Sequence, residues 1–215
     1  MKLITIGDSI TRGTYRDDND AWAVAFPNYS ERLQKLLGAD ELVCLGVNGV
    51  SMSSTSSVNS ENALCRLCEN AVSGDIIVVA GGTNDFGTSV EVGRSTDEGD
   101  ISTCGALHIL FTRLKKNNPN SKIYAVLPIP RRNENVKNEK GYVLDDYRAA
   151  IREAATAFGV AIIDGKKLAI DPENEADRKK YIRDGLHPND AGHALYAQFL
   201  YQEILKSKGE NIHIL

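Results

Sequence analysis

Hydrophobic residues recur along the chain in five short runs that are rich in β-branched side chains and bounded by turn residues. The runs are KLITIG (2–7), ELVCLGV (41–47), DIIVVAG (75–81), KIYAVLP (122–128) and VAIID (160–164). Their apolar character is nearly continuous and does not alternate with polar positions, which is typical of strands covered on both faces. We therefore predict five strands of a parallel sheet.

Between the runs, apolar residues repeat with the spacing of one helix face. The four stripes are Tyr29, Leu33, Leu36 and Leu37; Ala106, Leu107, Leu110, Phe111 and Leu114; Tyr147, Ala150, Ile151, Ala154 and Phe158; and Ala194, Ala197, Tyr201, Ile204 and Leu205. Asn28 and Glu31 predict the start of the first helix and Gly38 its end. Because strands and helices alternate, we predict an α/β fold, a three-layer α/β/α sandwich with a flavodoxin-like five-stranded parallel sheet. The expected strand order is 2-1-3-4-5, in a single domain over residues 1–215.

Three polar stretches interrupt this alternation, at residues 86–100, 131–140 and 165–183. Each follows a predicted strand, so each is either a solvated loop or part of a binding site. Because open α/β sheets bind ligands at the carboxyl ends of their strands, the three stretches are candidate walls of a substrate site.

Charge and hydropathy narrow the class of protein. The chain has 25 lysines and arginines against 29 acids, a formal net charge of −4 and a pI of about 5.6. This balance argues against a nucleic-acid-binding protein, which usually has a basic face. No apolar run approaches the roughly 20 residues that cross a bilayer. We therefore expect no membrane insertion. Because the first predicted strand begins at residue 2, we also expect no signal peptide. The default location is cytoplasmic, and secretion stays open if a leader segment is removed.

The cysteines do not form a recognisable metal site. Cys65 and Cys68 make one CRLC motif, but no second pair of cysteines and no nearby histidine pair completes a zinc site. Because they lie three positions apart in a predicted helix, they are interpreted as packing residues. We expect no disulfide and no metal.

Two short motifs carry candidate chemistry. DGLHPND (184–190) places Asp184 three residues before His187, which is either a loop end before the last helix or two members of a catalytic triad. GDSIT (7–11) places Ser9 after the first strand, as a helix cap or as a nucleophile. No G-x-S-x-G motif occurs, so the nucleophile elbow of the α/β-hydrolases is absent.

Taken together, GDSIT (7–11), GGTND (81–85) and DGLHPND (184–190) resemble the sequence blocks of the SGNH, or GDSL, hydrolase family, in the family's order and over nearly the whole chain. The resemblance implies a serine ester hydrolase without metal or cofactor. Ser9 would be its nucleophile, His187 its general base and Asp184 the residue that orients His187. It also implies that Asn84 and the backbone amide of Ser9 bind the oxyanion.

One block departs from the family pattern. Where the family usually has a glycine, the segment GVSMS (49–53) has Met52. A backbone N–H survives this change, so Met52 is retained as the third oxyanion donor, with Gly49 as the alternative. The same departure favours a different class, a non-catalytic flavodoxin-like module that binds a ligand.

Other titratable residues receive structural interpretations. Asp8 and Asp85 are interpreted as turn and loop anchors, and His108, His193 and His213 as structural or exposed residues.

The expected fold agrees with these assignments. Ser9, Asn84 and the Asp184–His187 loop each follow a predicted strand, so all are expected at one edge of the sheet. An imidazole, with an ordinary pKa of about 6.5, takes the hydroxyl proton and returns it to the leaving alcohol. We expect hydrolysis of small-molecule esters, with small acyl groups on a polar or carbohydrate alcohol. Short-chain lipase and thioesterase activities are the alternatives.

Overall fold

The computed structural model describes residues 1–56, 58–67, 73–207 and 209 of the 215-residue chain. The strands in these residues are β1 (Lys2–Gly7), β2 (Thr14–Arg16), β3 (Trp22–Val24), β4 (Glu41–Gly46), β5 (Ile76–Ala80), β6 (Lys122–Val126) and β7 (Ala161–Ile163). Five of them form a parallel sheet in the order β4-β1-β5-β6-β7. Counted among the parallel strands alone, this is the predicted order 2-1-3-4-5.

The helices of the described residues are α1 (Ser9–Arg12), α2 (Tyr29–Leu37), α3 (Leu64–Leu67), α4 (Thr83–Gly87), α5 (Thr103–Asn117), α6 (Leu144–Ala157), α7 (Glu175–Tyr181) and α8 (Asp190–Ser207). The four predicted helices correspond to α2, α5, α6 and α8. As predicted, α2 begins with a capping box between Asn28 and Glu31 and ends at Gly38, which has a φ of 64°. Within the described ranges, no helix is both long and apolar enough to span a membrane.

The sheet is buried between two hydrophobic layers. Alternate residues of β1 belong to opposite layers, since Ile4 and Ile6 pack with residues of α3, α5 and α6, whereas Leu3 packs with residues of α2 and α8. This two-sided burial explains why the strand sequences are continuously apolar. The predicted α/β/α sandwich is confirmed, and Cys65 is buried in one layer as expected; Cys68 lies outside the described residues.

The sequence pattern missed a two-stranded hairpin formed by β2 and β3. The two strands pair antiparallel, with Thr14 opposite Val24 and Arg16 opposite Trp22. Each strand has only three residues, too few to show an alternating pattern, and the segment between them is acidic. The hairpin directly follows α1, and it therefore stands beside the carboxyl end of β1.

Candidate active site

Ser9 is positioned by a tight turn between β1 and α1. Gly7 ends the strand where there is no room for a side chain, since a Cβ there would lie 2.1 Å from Thr11 Oγ1 and 2.3 Å from the carbonyl oxygen of Ala80. Asp8 caps α1 by accepting a hydrogen bond of 2.9 Å from the amide of Ile10. Ser9 is thus the first residue of the helix, where a backbone N–H has no partner inside the helix and is available to a ligand.

Ser9, His187 and Asp184 form one hydrogen-bonded series. Ser9 Oγ lies 2.9 Å from His187 Nε2, and His187 Nδ1 lies 2.7 Å from Asp184 Oδ2. The second carboxylate oxygen, Oδ1, accepts hydrogen bonds from the amides of Leu186 and His187 at 2.9 and 2.7 Å. The loop amides thus hold the carboxylate of Asp184 in place, and the carboxylate in turn orients the imidazole of His187.

The protonation of Asp184 decides which nitrogen of His187 is the base. Burial alone would raise the pKa of Asp184, but the hydrogen bonds from His187 and Leu186 outweigh it and hold the pKa below its ordinary value. An ionised carboxylate only accepts, so Nδ1 of His187 carries the proton and Nε2 accepts from the Ser9 hydroxyl. This is the tautomer that a serine nucleophile requires.

Asn84 lies in α4 and lines the same cleft as Ser9. Its Nδ2 donates a hydrogen bond of 2.8 Å to the carbonyl oxygen of Val50, which orients the amide and leaves its second N–H to a ligand. Asn84 and Gly49 both line the same cleft as Ser9 and His187. The structure thus brings the predicted donor Asn84 to the nucleophile.

The assignment of Met52 as an oxyanion donor is corrected by the structure. Its backbone N–H donates to Asp85 Oδ2 at 2.8 Å, and its side chain is buried in the core beside Gly81. Gly49 has a φ of 74° and lies at the cleft, so the alternative position is the one that presents backbone to a substrate. The physical reason is that the backbone N–H of Met52 already donates to Asp85 and is therefore not available to an oxyanion.

Asp85 is the anchor of this loop, as predicted. It is fully buried and accepts hydrogen bonds from the amides of Met52 and Ser53 and from the hydroxyl of Thr103. Burial raises the pKa of Asp85 to about 6, although these hydrogen bonds oppose the shift. Burial likewise raises the pKa of Asp8, the cap of α1, to about 6.

The site opens into a cleft of about 480 Å³. Its lining residues are Ser9, Arg12, Thr14, Trp22, Ala23, Val24, Asn48, Gly49, Asn84, Leu186 and His187. The hairpin of β2 and β3 supplies one wall, and Trp22 contacts His187 edge to face with ring centroids 5.3 Å apart. The guanidinium of Arg16 covers the Trp22 ring at 3.8 Å.

The prediction that the three polar stretches form the walls of the substrate site is wrong, because no residue of 86–100, 131–140 or 165–183 lines this cleft. Residues 86–100 and 131–140 pack together, since Asn138 Nδ2 donates to the carbonyl of Phe86 at 3.2 Å, and the nearby side chains of Phe86, Leu144 and Tyr147 form a separate hydrophobic cluster. In residues 165–183, the carbonyl of Tyr181 accepts from the amide of Asn189 at 2.8 Å. These segments support the site from outside the cleft.

Arg131 is a neighbour of the site that the sequence did not reveal. Its Nη1 donates to the carbonyl and hydroxyl oxygens of Thr83 at 3.0 and 3.1 Å, directly before Asn84. Burial lowers the pKa of Arg131, while the carboxylates of Asp8 and Asp184 oppose that shift. The amide of the next residue, Arg132, donates to the carbonyl of Gly185 at 2.7 Å. One short segment thus holds the Asn84 loop and the Asp184 loop together.

The other two histidines that the structure describes, His193 and His108, pack against structural residues. His193 is fully buried, accepts a hydrogen bond from the amide of Tyr29 at 3.3 Å, and has a pKa that burial lowers to about 3. His108 packs edge to face against Phe158. His213 lies outside the described residues.

A parallel α/β sandwich with a hydroxyl, an imidazole and a carboxylate in series at the carboxyl ends of its strands defines a serine-type hydrolase. The model of the GDSL-like Lipase/Acylhydrolase family matches residues 5–195, and the chain belongs to this family. The resemblance seen in the three sequence blocks is confirmed, and the protein is an ester hydrolase.

Solved structures support the fold. A crystal structure of a protein from Lactobacillus plantarum is 28% identical, covers 100% of this chain and 98% of its own, and has a TM-score of 0.80. A possible lipase from Chitinophaga pinensis is 18% identical over 98% and 99% of the two chains, with a TM-score of 0.67. The aryl esterase of M. smegmatis is 18% identical over 95% and 98%, with a TM-score of 0.65. None of the curated proteins matches the chain.

Proposed function

We propose that the protein hydrolyses carboxylic esters through an acyl intermediate on Ser9, with His187 as general base and Asp184 as the orienting carboxylate. The observation that carries the proposal is the continuous series from Ser9 Oγ to His187 and on to Asp184, with separations of 2.9 and 2.7 Å. Both Ser9 and His187 are largely buried yet line the open cleft, so a substrate can reach them where little water surrounds them.

In the acylation step, Ser9 Oγ attacks the ester carbonyl carbon while its proton passes to His187 Nε2. The carbonyl electrons move onto oxygen, and the resulting oxyanion accepts hydrogen bonds from the Ser9 amide, the Gly49 amide and Asn84 Nδ2. One such donor is worth about 3–4 kcal/mol in other hydrolases. Collapse of the intermediate breaks the bond to the alcohol, which takes the proton from His187.

Deacylation repeats the chemistry with water as the nucleophile. His187 Nε2 accepts a proton from water, the oxyanion forms again at the same donors, and the acid departs as Ser9 recovers its proton. Asp184 stays ionised throughout and stabilises the imidazolium that forms twice in each cycle.

The cleft favours small acyl groups on a polar alcohol. At about 480 Å³ it lies toward the small end of ligand sites. Its apolar wall comes from the hairpin, while Thr14, Asn48 and Asn84 offer polar groups that suit an alcohol with further hydroxyls. Short-chain lipase and thioesterase activities remain as second choices for the same machinery.

Two measurements test the proposal. A fluorophosphonate probe should label the wild type on Ser9 and leave Ser9→Ala unlabelled, whereas an unlabelled wild type would favour a non-catalytic binding module. A panel of nitrophenyl esters with increasing acyl length, run beside acetylated sugars and an acyl thioester, should show turnover that declines beyond short acyl chains. A preference for long chains or for the thioester would contradict the substrate assignment.

A further inference from the structure

Arg12 gives the cleft its electrostatic character. Among the described residues that line the cleft, it alone has a permanent charge, and none carries a carboxylate. The chain as a whole has more acids than bases, 29 against 25, so a cation in the cleft does not reflect a generally basic surface. The charge of the cleft is therefore a local feature that needs its own explanation.

The backbone of Arg12 is fixed close to the nucleophile. Arg12 follows Ser9 by three residues in α1, so both side chains lie on one face of that helix turn, with Cβ atoms about 5–6 Å apart. Its amide donates to the carbonyl of Asp8 at 3.0 Å, and its carbonyl accepts from Asn28 Nδ2 at 3.3 Å. Gly46 of β4 packs directly against it, since a Cβ there would lie 2.3 Å from the Arg12 amide nitrogen.

The side chain of Arg12, by contrast, is exposed and has no hydrogen bond or ion pair with any residue that the structure describes. Arg16, at the same mouth, shows the difference, because its guanidinium donates to the carbonyl of Asp20 at 2.7 Å and stacks on Trp22. Arg16 therefore has a structural role, whereas the charge of Arg12 is unused.

None of the three acids of the hairpin turn, Asp17, Asp18 and Asp20, forms an ion pair with Arg12, and two of them are engaged elsewhere. The Oδ1 atom of Asp17 accepts hydrogen bonds from the amides of Asn19 and Ala21 at 2.9 and 2.8 Å. Asp18 forms an ion pair of 3.2 Å with Arg183. Both carboxylates are thus engaged with groups of the hairpin turn and of the Asp184 loop.

We propose that Arg12 binds a carboxylate of the substrate, so that the preferred substrates are esters that carry a negative charge. The proposal rests on the ester hydrolysis assigned to the same cleft and names its substrate class. A guanidinium suits this role because its planar fork donates two parallel hydrogen bonds to a carboxylate. Asn48 offers a second donor at the cleft, because its Oδ1 accepts from Thr14 at 2.8 Å and its amide nitrogen is left to a ligand.

Matched pairs of esters test the proposal. One pair places the charge on the acyl side, mono-4-nitrophenyl succinate against 4-nitrophenyl butyrate; the other places it on the alcohol side, 4-acetoxybenzoate against methyl 4-acetoxybenzoate. The measured quantity is the ratio of kcat/KM for the anionic and the neutral member, after subtraction of spontaneous hydrolysis. In Arg12→Gln this ratio should fall about 10- to 100-fold in one pair, the size expected for a charge-assisted hydrogen bond. Arg12→Lys should recover part of it.

Arg16→Gln is the matched control, since it removes an arginine from the same mouth and should leave the ratio unchanged. In the wild type, raising NaCl from about 0.05 to about 0.5 M should raise KM for the anionic ester only. A ratio that is the same in natively folded Arg12→Gln and the wild type, in both pairs, would overturn the proposal, as would a salt-independent KM. A wild type that hydrolyses no member of either pair would instead contradict the ester hydrolysis itself.

Discussion

The two sides of the cleft differ in how deeply their residues are buried and how they are hydrogen-bonded. The floor is made of buried loops at the carboxyl ends of the strands, where Ser9, Asn84 and His187 each have a specific hydrogen-bond partner within the protein. The facing wall is a hairpin of two three-residue strands, on which Trp22 and Val24 are 56% and 58% exposed. The floor is held by hydrogen bonds from several loops, whereas the wall presents large apolar side chains that solvent reaches.

We infer from this difference that the floor carries out the chemistry and that the wall determines the selectivity for substrates. The reacting groups must keep fixed distances, and in the floor a buried carboxylate, Asp85, and a half-buried guanidinium, Arg131, hold the loops that carry them. The hairpin lines the cleft but supplies no atom of the Ser9–His187–Asp184 series, so substitutions there should disturb the chemistry less. We therefore expect substitutions in the floor to lower kcat and substitutions in the wall to raise KM.

The largest effect is expected for Asp184→Asn. The carboxamide oxygen keeps the hydrogen bonds of the loop amides, but its nitrogen would face His187 Nδ1 and force the ring into the tautomer that cannot accept the Ser9 proton. We expect kcat to fall about 10⁴-fold, as for the equivalent change in another serine hydrolase, with a thermal midpoint close to that of the wild type. A loss below about ten-fold would show that the carboxylate is dispensable.

Asn84→Ala should have the second-largest effect. It removes one oxyanion donor, and kcat should fall about 10²- to 10³-fold while KM changes little. The substitution also removes the hydrogen bond to the Val50 carbonyl, so thermal unfolding must be measured beside the kinetics. A parallel loss of stability and a raised KM would indicate a collapsed loop and not a lost donor.

Trp22→Ala tests the wall. Removing the indole withdraws apolar surface worth about 1 kcal/mol from a bound ester, so KM should rise about 5-fold with kcat nearly unchanged. Phe26→Ala is the control, because Phe26 is 83% exposed and does not line the cleft. Equal effects of the two substitutions, or a fall in kcat alone for Trp22→Ala, would remove the distinction between wall and floor.

The smallest effect on turnover is expected for Asp8→Asn, which instead changes how stability depends on pH. The pKa of Asp8 is raised from 3.8 to about 6, so the folded state holds its proton more tightly than the unfolded state. The contribution of Asp8 to stability is thus greatest below about pH 4 and falls as pH rises to about 6, by about 1.4 kcal/mol for each pKa unit.

An asparagine still caps α1 and buries no charge. The free energy of unfolding of Asp8→Asn should therefore match the wild type near pH 4 and exceed it at pH 7. Urea unfolding of both proteins across this range measures the difference, which isolates Asp8 because Asp85 is present in both. A difference that does not vary with pH would contradict the assignment.

The sequence predicted the floor well because its signals are local and repeated. Continuous apolar runs identify strands covered on both faces, and the carboxyl ends of such strands meet at one edge, which places Ser9, Asn84 and His187 together. The order of the strands and the four long helices are confirmed. The spacing of Asp184 and His187 on one loop likewise needed no tertiary information.

What the sequence missed depends on contacts between distant segments. The amide of Met52 is unavailable because Asp85, 33 residues later, accepts its hydrogen bond, and no local pattern shows this. Arg131 stands in a polar stretch that resembles a solvated loop, although much of its side chain is enclosed by Thr83 and Phe86. The hairpin of β2 and β3 was too short to be recognised from periodicity.

Trp22 is the only tryptophan of the chain, and its ring packs edge to face with the imidazole of His187. The tryptophan fluorescence of this protein, excited selectively over that of its eight tyrosines, therefore arises at the mouth of the cleft, next to the proposed general base. Because Trp22 lines the cleft, an ester that binds there changes the surroundings of the indole, so a stopped-flow instrument can follow binding with no attached dye and with natural, colourless esters.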